Sequence, residues 1–176
     1  MHENDFDVLT HANGDGAVDM VLEAVRYVRE QSKKKTNTRF VIIHAQTVRE
    51  DQLDSIVELG ISISFFSPHI CYWGDDHFKI FLGPGRANRI NPARSALKRN
   101  ITFTLHNDSP IIPMGKAMGK NTYIEILDSA IKRKTMAGRV LGEEQKISPY
   151  EALKAVTVNG AWQSREQDTK GSIKVG

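Results

Sequence analysis

Cysteine is almost absent. Cys71 stands alone, which excludes an internal disulfide, and no neighbour in the sequence would lower its pKa, so it is read as inert. Long hydrophobic runs are missing too: no stretch approaches the roughly 20 apolar residues that cross a bilayer. The opening MHENDF resembles no targeting segment, and a cytoplasmic protein without a membrane partner is expected. Neither sign of charge dominates, with 24 Lys and Arg against 21 Asp and Glu for a net +3. The basic residues are scattered apart from Lys33, Lys34 and Lys35, which fall where a helix should end and read as a solvated cap favoured by the helix dipole. Without a basic stripe interleaved with aromatics, nucleic-acid binding is not expected. Low-complexity segments and interdomain linkers are also lacking, and 40% hydrophobic residues suit one domain with a sizeable core.

What is present is an alternation of strand and helix. Residues 7–11 read as a short strand, and 15–34 as a helix with Ala17, Met20, Val21, Ala24, Val25 and Val28 recurring at helical spacing. RFVIIHA (39–45) is apolar on both faces, as a buried parallel strand is. Residues 48–60 form a second amphipathic helix stopped by Gly60, and ISISFFS (61–67) a third element of strand type. A long Gly-, Pro-, Asp- and aromatic-rich connection, roughly 67–90, reads as a functional loop. Then come a short helix at 91–100, with Asn91 as N-cap and Pro92 in its first turn, and a fourth strand, ITFTLHND (101–108). Residues 121–135 look helical, and SPYEALKAVTVNGA opens with a capping box of Ser148 and Glu151 around Pro149. Such alternation predicts an α/β fold with a parallel sheet and covering helices.

Three of the apolar runs stop on histidine. DVLTHANGD ends on His11, RFVIIHAQT on His44, and ITFTLHNDSP on His106, Asn107 and Asp108. In a parallel sheet or barrel all strand C-termini share one face, so His11, His44 and Asp108 are expected to converge. Two neutral imidazoles and a carboxylate are the donor set of a catalytic divalent ion, zinc above all. A cluster of hydrogen-bonded structural residues is the alternative that spacing leaves open, because no short metal motif such as H-E-x-x-H is present.

Five stretches carry a family resemblance: HANGDGAVDMVLEAV, IIHAQTVREDQL, SPHICYWGDDHFKIFLGPGRANRINPARSAL, FTLHNDSPIIPM and ISPYEALKAVTVNGAWQSREQDTKGSIKVG. Together, in order and along nearly the whole chain, they resemble the amidohydrolase superfamily, and within it amidohydrolase family 3, which includes N-substituted formamide deformylases. The resemblance implies a (β/α)8 barrel enzyme that hydrolyses non-peptide carbon–nitrogen bonds of small amides, with residues 1–176 holding strands five to eight and the C-terminal helices. It implies that His11 and His44 are metal ligands and that Asp108 contacts metal and shuttles the proton of the attacking water. His69 is implied as a group that contacts substrate or polarises its carbonyl. One or two divalent ions, zinc first, are the implied cofactor.

The family's His-x-His pair and its metal-bridging lysine have no counterpart in this sequence, and the chain stops at GSIKVG where relatives continue. A barrel needs about 250 residues, so an incomplete half-barrel is expected, either an excised piece or one of two copies that complete each other as a homodimer. It would leave two unpaired sheet edges and expose apolar inner faces of VIIHA and ISISFF. A catalytically incompetent assembly module keeping a partial metal site is the alternative function. YWGDDH (72–77) reads either as a substrate lid, with Trp73 over the pocket and Asp75 and His77 supplying hydrogen bonds, or as a loop packed by its own aromatics. Asn13 and Gln46 are candidates for orienting the metal-bound imidazoles, whereas Asp15 reads as a helix cap. His106 either points into the barrel or packs within it, and the GPGR of 83–86 reads as a turn.

Overall fold

The computed structural model describes residues 5–32, 36–108 and 122–175. The run Lys33 to Lys35 and the segment from residue 109 to 121 lie outside them. Strands β1 (Val8–Ala12), β2 (Phe40–His44), β3 (Ser62–Phe65) and β4 (Phe103–Leu105) pair in sequence order, every pair parallel. Helices α1 (Asp15–Gln31) and α2 (Glu50–Glu58) make the first two crossovers. Consecutive strands lying side by side is how a barrel is wound, and these four strands with their helices form a partial α/β barrel.

The helix side of the sheet carries the main core. Ile42, Ile63, Phe65 and Phe103 pack there with Val18, Leu22 and Val25 of α1 and with Leu53 and Ile56 of α2. A fully buried side chain of this kind contributes about 1.5–3 kcal/mol. The apolar stripe expected on α1 divides. Val18 and Leu22 lie against the sheet, Ala17, Val21 and Val25 touch both the core and a groove of about 760 Å³ between α1 and β1, and Met20, Ala24 and Val28 line that groove alone.

On the opposite face strand alternation places Val41 and Ile43 of β2, and Ser62 and Ser64 of β3, across from one another. The expectation of an exposed apolar inner face is therefore corrected for ISISFF, whereas in VIIHA Val41 is buried and Ile43 half-buried. The inner face of β3 is serine, and Val41, Ser62, Ser64 and Thr104 are all buried. Helix α8 (Val158–Gln163) supplies part of that cover, since Thr104 Oγ1 lies 2.8 Å from Gln163 Oε1 and Asn159 Nδ2 donates to Phe103 O at 2.8 Å.

Residues 67–90 differ from the loop expected of them. They form α3 (Pro68–Asp76), a π-helical turn (His77–Phe81) and α4 (Gly83–Ala87). Prolines 68 and 84 stand in first turns, where a missing N–H costs nothing, so GPGR is helical rather than a turn. Asn91 is not the N-cap of α5 (Ala93–Lys98). Its backbone is left-handed, with φ 48°, its amide donates to Phe66 O at 3.0 Å, and Pro92 takes the cap position. Asp15 is likewise not a cap. Gly14 holds that place, and the Asp15 N–H donates to Thr47 Oγ1 at 3.0 Å. The remaining elements, α6 (Thr122–Lys132) and α7 (Pro149–Val156), match the sequence reading. The capping box is formed, with Ser148 N donating to Glu151 Oε2 at 2.6 Å and Glu151 N to Ser148 Oγ at 3.2 Å.

Candidate metal centre

Alternation by itself would misdirect His44. Ile42 points to the helices, and on a regular strand His44 would follow it. Left-handed backbone at His44 (φ 76°) and Ala45 (φ 47°) turns the imidazole to the other face. Such conformations cost L-residues about 1–2 kcal/mol each and gather at functional sites. Backbone bonds from Ala45 N to Ala12 O (3.0 Å), Thr47 N to Asn13 O (3.3 Å) and Asn91 N to Gln46 O (2.9 Å) hold the turn. Asp108, just beyond β4, is left-handed as well, with φ 52°.

One cavity of about 290 Å³ at the C-terminal ends of the strands is lined by His11, Asn13, His44, Gln46, Phe66, His69, Trp73, His77 and Asp108. His11, Asn13, His44, Gln46, His69, Trp73 and Asp108 are therefore brought to one cavity, whereas Asp75 of the expected lid is turned away and accepts from Ala137 N at 3.1 Å. His44 is the hub. Its ring centroid lies 4.7 Å from that of His11, 5.5 Å from His69 and 5.1 Å from His106, and its Nε2 is 4.0 Å from Asp108 Oδ2. Trp73 stands over the His69 side, with ring centroids 6.1 Å apart.

Burial keeps His44, His69 and His106 neutral. It pushes His69 down to about 3 and His106 to about 4, with neighbouring histidines adding to the effect. His44 is also held below its ordinary value by burial, against the opposing pull of the Asp108 carboxylate. Neutral nitrogens are what a cation requires of histidine.

Asn13 and Gln46 bond to each other and to the helical arm rather than to His11 or His44. Asn13 Nδ2 donates to Gln46 Oε1 at 2.9 Å, and Gln46 Nε2 lies 3.0 Å from His77 Nε2. His77 Nδ1 donates to Trp73 O at 2.6 Å, so its Nε2 is the accepting nitrogen. This chain ties the ends of β1 and β2 to the first residue of the π-helical turn, a feature frequent at functional sites. The sequence reading placed His77 only on a possible lid.

His106 is the residue whose place the sequence left open. The ligand atoms of His44, His106 and Asp108 all lie within 4.8 Å of one another. His44 Nδ1 and His106 Nε2 are buried without a hydrogen-bond partner among the described residues. Neutral imidazoles with unclaimed lone pairs beside a carboxylate fit a divalent cation. The signal in the sequence was the run of polar residues at alternate positions, Ser62 and Ser64 on one strand and Thr104 and His106 on the next.

The amidohydrolase family model matches residues 1–176. The chain is 30% identical over 167 residues to the N-substituted formamide deformylase of Arthrobacter pascens, a match covering 94% of this chain and 29% of that protein. An uncharacterized metal-dependent hydrolase from Pyrococcus furiosus superposes with a TM-score of 0.73 at 27% identity, over 97% of this chain and 31% of the other. One from Pyrococcus horikoshii gives 0.74 at 25% identity, over 94% and 31%. The chain thus spans less than a third of each of these relatives. With the family model matching from its first residue to its last, this chain belongs to the amidohydrolase family.

Proposed function

We propose that residues 1–176 supply strands five to eight of a metal-dependent amidohydrolase barrel, and that the cavity hydrolyses the carbon–nitrogen bond of a small non-peptide amide such as a formamide. The observation that carries this reading is the gathering of His11, His44 and Asp108 on one cavity at the strand ends. His11 and His44 act as neutral imidazole ligands, and Asp108 as ligand and proton acceptor. One or two divalent ions, zinc by the chemistry of this donor set, supply Lewis-acid polarisation and a water whose pKa falls to about 7. Asp108 takes the proton of the attacking water at a carboxylate oxygen as the carbon–oxygen bond forms. It returns that proton to the amide nitrogen as the carbon–nitrogen bond breaks. His69, neutral through burial, serves as a hydrogen-bond donor to the carbonyl oxygen, and Trp73 walls the substrate.

A second copy of the chain is the partner proposed to close the half-barrel in the cytoplasm. The support is the groove between α1 and β1, where Met20 is 72% and Tyr27 65% exposed, beside the outer edge of β1. A catalytically incompetent assembly module is the reading favoured if that interface forms while the metal site does not.

Zinc content and solution mass measured on one purified sample test both parts. Near-stoichiometric zinc in a dimer, lost on joint His11→Ala and His44→Ala substitution, is expected, together with hydrolysis of N-substituted formamides. Unchanged metal stoichiometry in the double variant refutes the ligand set, and a concentration-independent monomer mass refutes the dimer.

A further inference from the structure

Of the cavity's histidines, His77 has both ring nitrogens engaged, by Trp73 O and Gln46. His106, which packs behind His44, has one. Its Nδ1 lies 2.9 Å from Ser64 Oγ, Ser64 Oγ lies 2.8 Å from Thr104 Oγ1, and Thr104 Oγ1 lies 2.8 Å from Gln163 Oε1. Each hydroxyl has a single proton to give, so the direction of the chain is set at its far end. A carbonyl oxygen can only accept. With Gln163 presenting Oε1, Thr104 donates to it, Ser64 donates to Thr104, and His106 must donate from Nδ1 to Ser64. Nε2 is then the bare nitrogen, and it is the one that is buried without a partner among the described residues.

We propose that Gln163, Thr104 and Ser64 form a positioning relay that holds His106 as its Nδ1–H tautomer, making Nε2 a further metal donor alongside His44 and Asp108. This rests on the metal-dependent reading above and adds to its ligand set a residue supported from the opposite end of the fold. Ser64 and Thr104 are register partners on β3 and β4, so the relay runs across the sheet and into α8. The ring of Phe66 stacks on His106 with a centroid separation of 5.5 Å and an interplanar angle of 21°, which fixes the plane in which Nε2 lies. Zinc bonds of about 2.0–2.2 Å place tetrahedral donors about 3.4 Å apart, so the trio, within 4.8 Å of one another, would draw in by up to about 1.4 Å on binding. Orienting partners of this kind typically govern 10–100-fold in metal affinity.

The test has two readouts on the whole chain. Long-range proton–nitrogen NMR on metal-free protein reports the His106 tautomer, and chelator competition reports the affinity for Zn²⁺ alone. The expected result is the Nδ1–H form, with zinc affinity reduced at least tenfold in Thr104→Val and retained in Thr104→Ser. His106→Ala is expected to weaken zinc further, with circular dichroism checking its fold. An Nε2–H tautomer overturns the relay. Zinc bound as tightly by T104V and H106A as by the unaltered chain overturns the donor role and leaves the metal-dependent reading standing. No zinc uptake by the unaltered chain overturns both.

Discussion

Arg133 offers the sharpest test of how this fold supports its cavity. It follows α6 with a left-handed backbone (φ 53°) and is 1% exposed, yet no carboxylate among the described residues pairs with it. Its guanidinium instead donates to three backbone carbonyls: Nε to Leu141 O at 2.6 Å, one terminal nitrogen to Asn91 O at 3.0 Å and the other to Ile90 O at 2.7 Å. Burial draws its pKa down to about 10, so it remains charged at neutral pH. Asn91 in turn donates from its backbone to Gln46 O and from its amide to Phe66 O, and both of those residues line the cavity. In Arg133→Met the carbonyls of Ile90 and Leu141 lose this donor, at about 1–3 kcal/mol each, while Asn91 O keeps the N–H of Ala93 at 2.8 Å. Relief from burying a charge returns part of this, leaving a net loss of roughly 2–4 kcal/mol. For a chain of this size, at about 2–4 °C per kcal/mol, Tm should fall by roughly 4–16 °C. Arg133→Lys should lie between, because one ammonium cannot reproduce a planar fork reaching three carbonyls. Thermal denaturation followed by circular dichroism measures both. A Met variant within about 2 °C of the unaltered chain, or a Lys variant less stable than the Met one, would refute the reasoning.

Gly142 has φ 59°, and a Cβ there would stand 1.8 Å from the backbone oxygen of Asn88. Gly142→Ala should therefore cost about 3 kcal/mol or more, and an unchanged urea midpoint would contradict this. Hydrogen bonds from Arg165 hold the Asp7 carboxyl below its ordinary 3.8. The stability it contributes is complete above that value and is lost as pH falls through the lower folded one. Asp7→Asn should thus flatten the acid limb of a stability profile below about pH 4, and superimposable limbs would count against the pair. Gln46→Leu strands Asn13 Nδ2 and His77 Nε2 together. A loss of about 1–3 kcal/mol with a shift in tryptophan emission is expected, and an emission spectrum identical to the unaltered chain would dismiss the link to the Trp73 arm.

The strands were readable because parallel strands are buried on both faces and so appear as short apolar runs, as FVIIH does. Convergence of His11, His44 and Asp108 followed from the single geometric fact that such strands end on one face. The helical arm of residues 67–90 was not readable, because Gly83, Pro84 and Gly85 have the composition of a loop while their positions in first turns start helices. A π-helical turn at His77–Phe81 has no compositional mark at all. Caps failed for a related reason. Asn91 and Asp15 have the right side chains, but tertiary partners, Phe66 O for one and Thr47 Oγ1 for the N–H of the other, decide where the helices begin. Met20 shows the limit of periodicity. Its spacing marks an apolar face of α1, and nothing in that spacing distinguishes the face that meets the sheet from the one that borders the groove.

The left-handed pair at His44 and Ala45 bears on how such a centre can be moved between proteins. Copying a histidine to the last position of the second strand in another α/β scaffold would aim it among the helices, because ordinary strand geometry leads there. The graft would have to include Ala45, the carbonyls of Ala12 and Asn13 that accept the N–H groups of Ala45 and Thr47, and Asn91, which donates to the turn from the far side. The unit of inheritance here is a turn with its three supports, and the imidazole is its passenger.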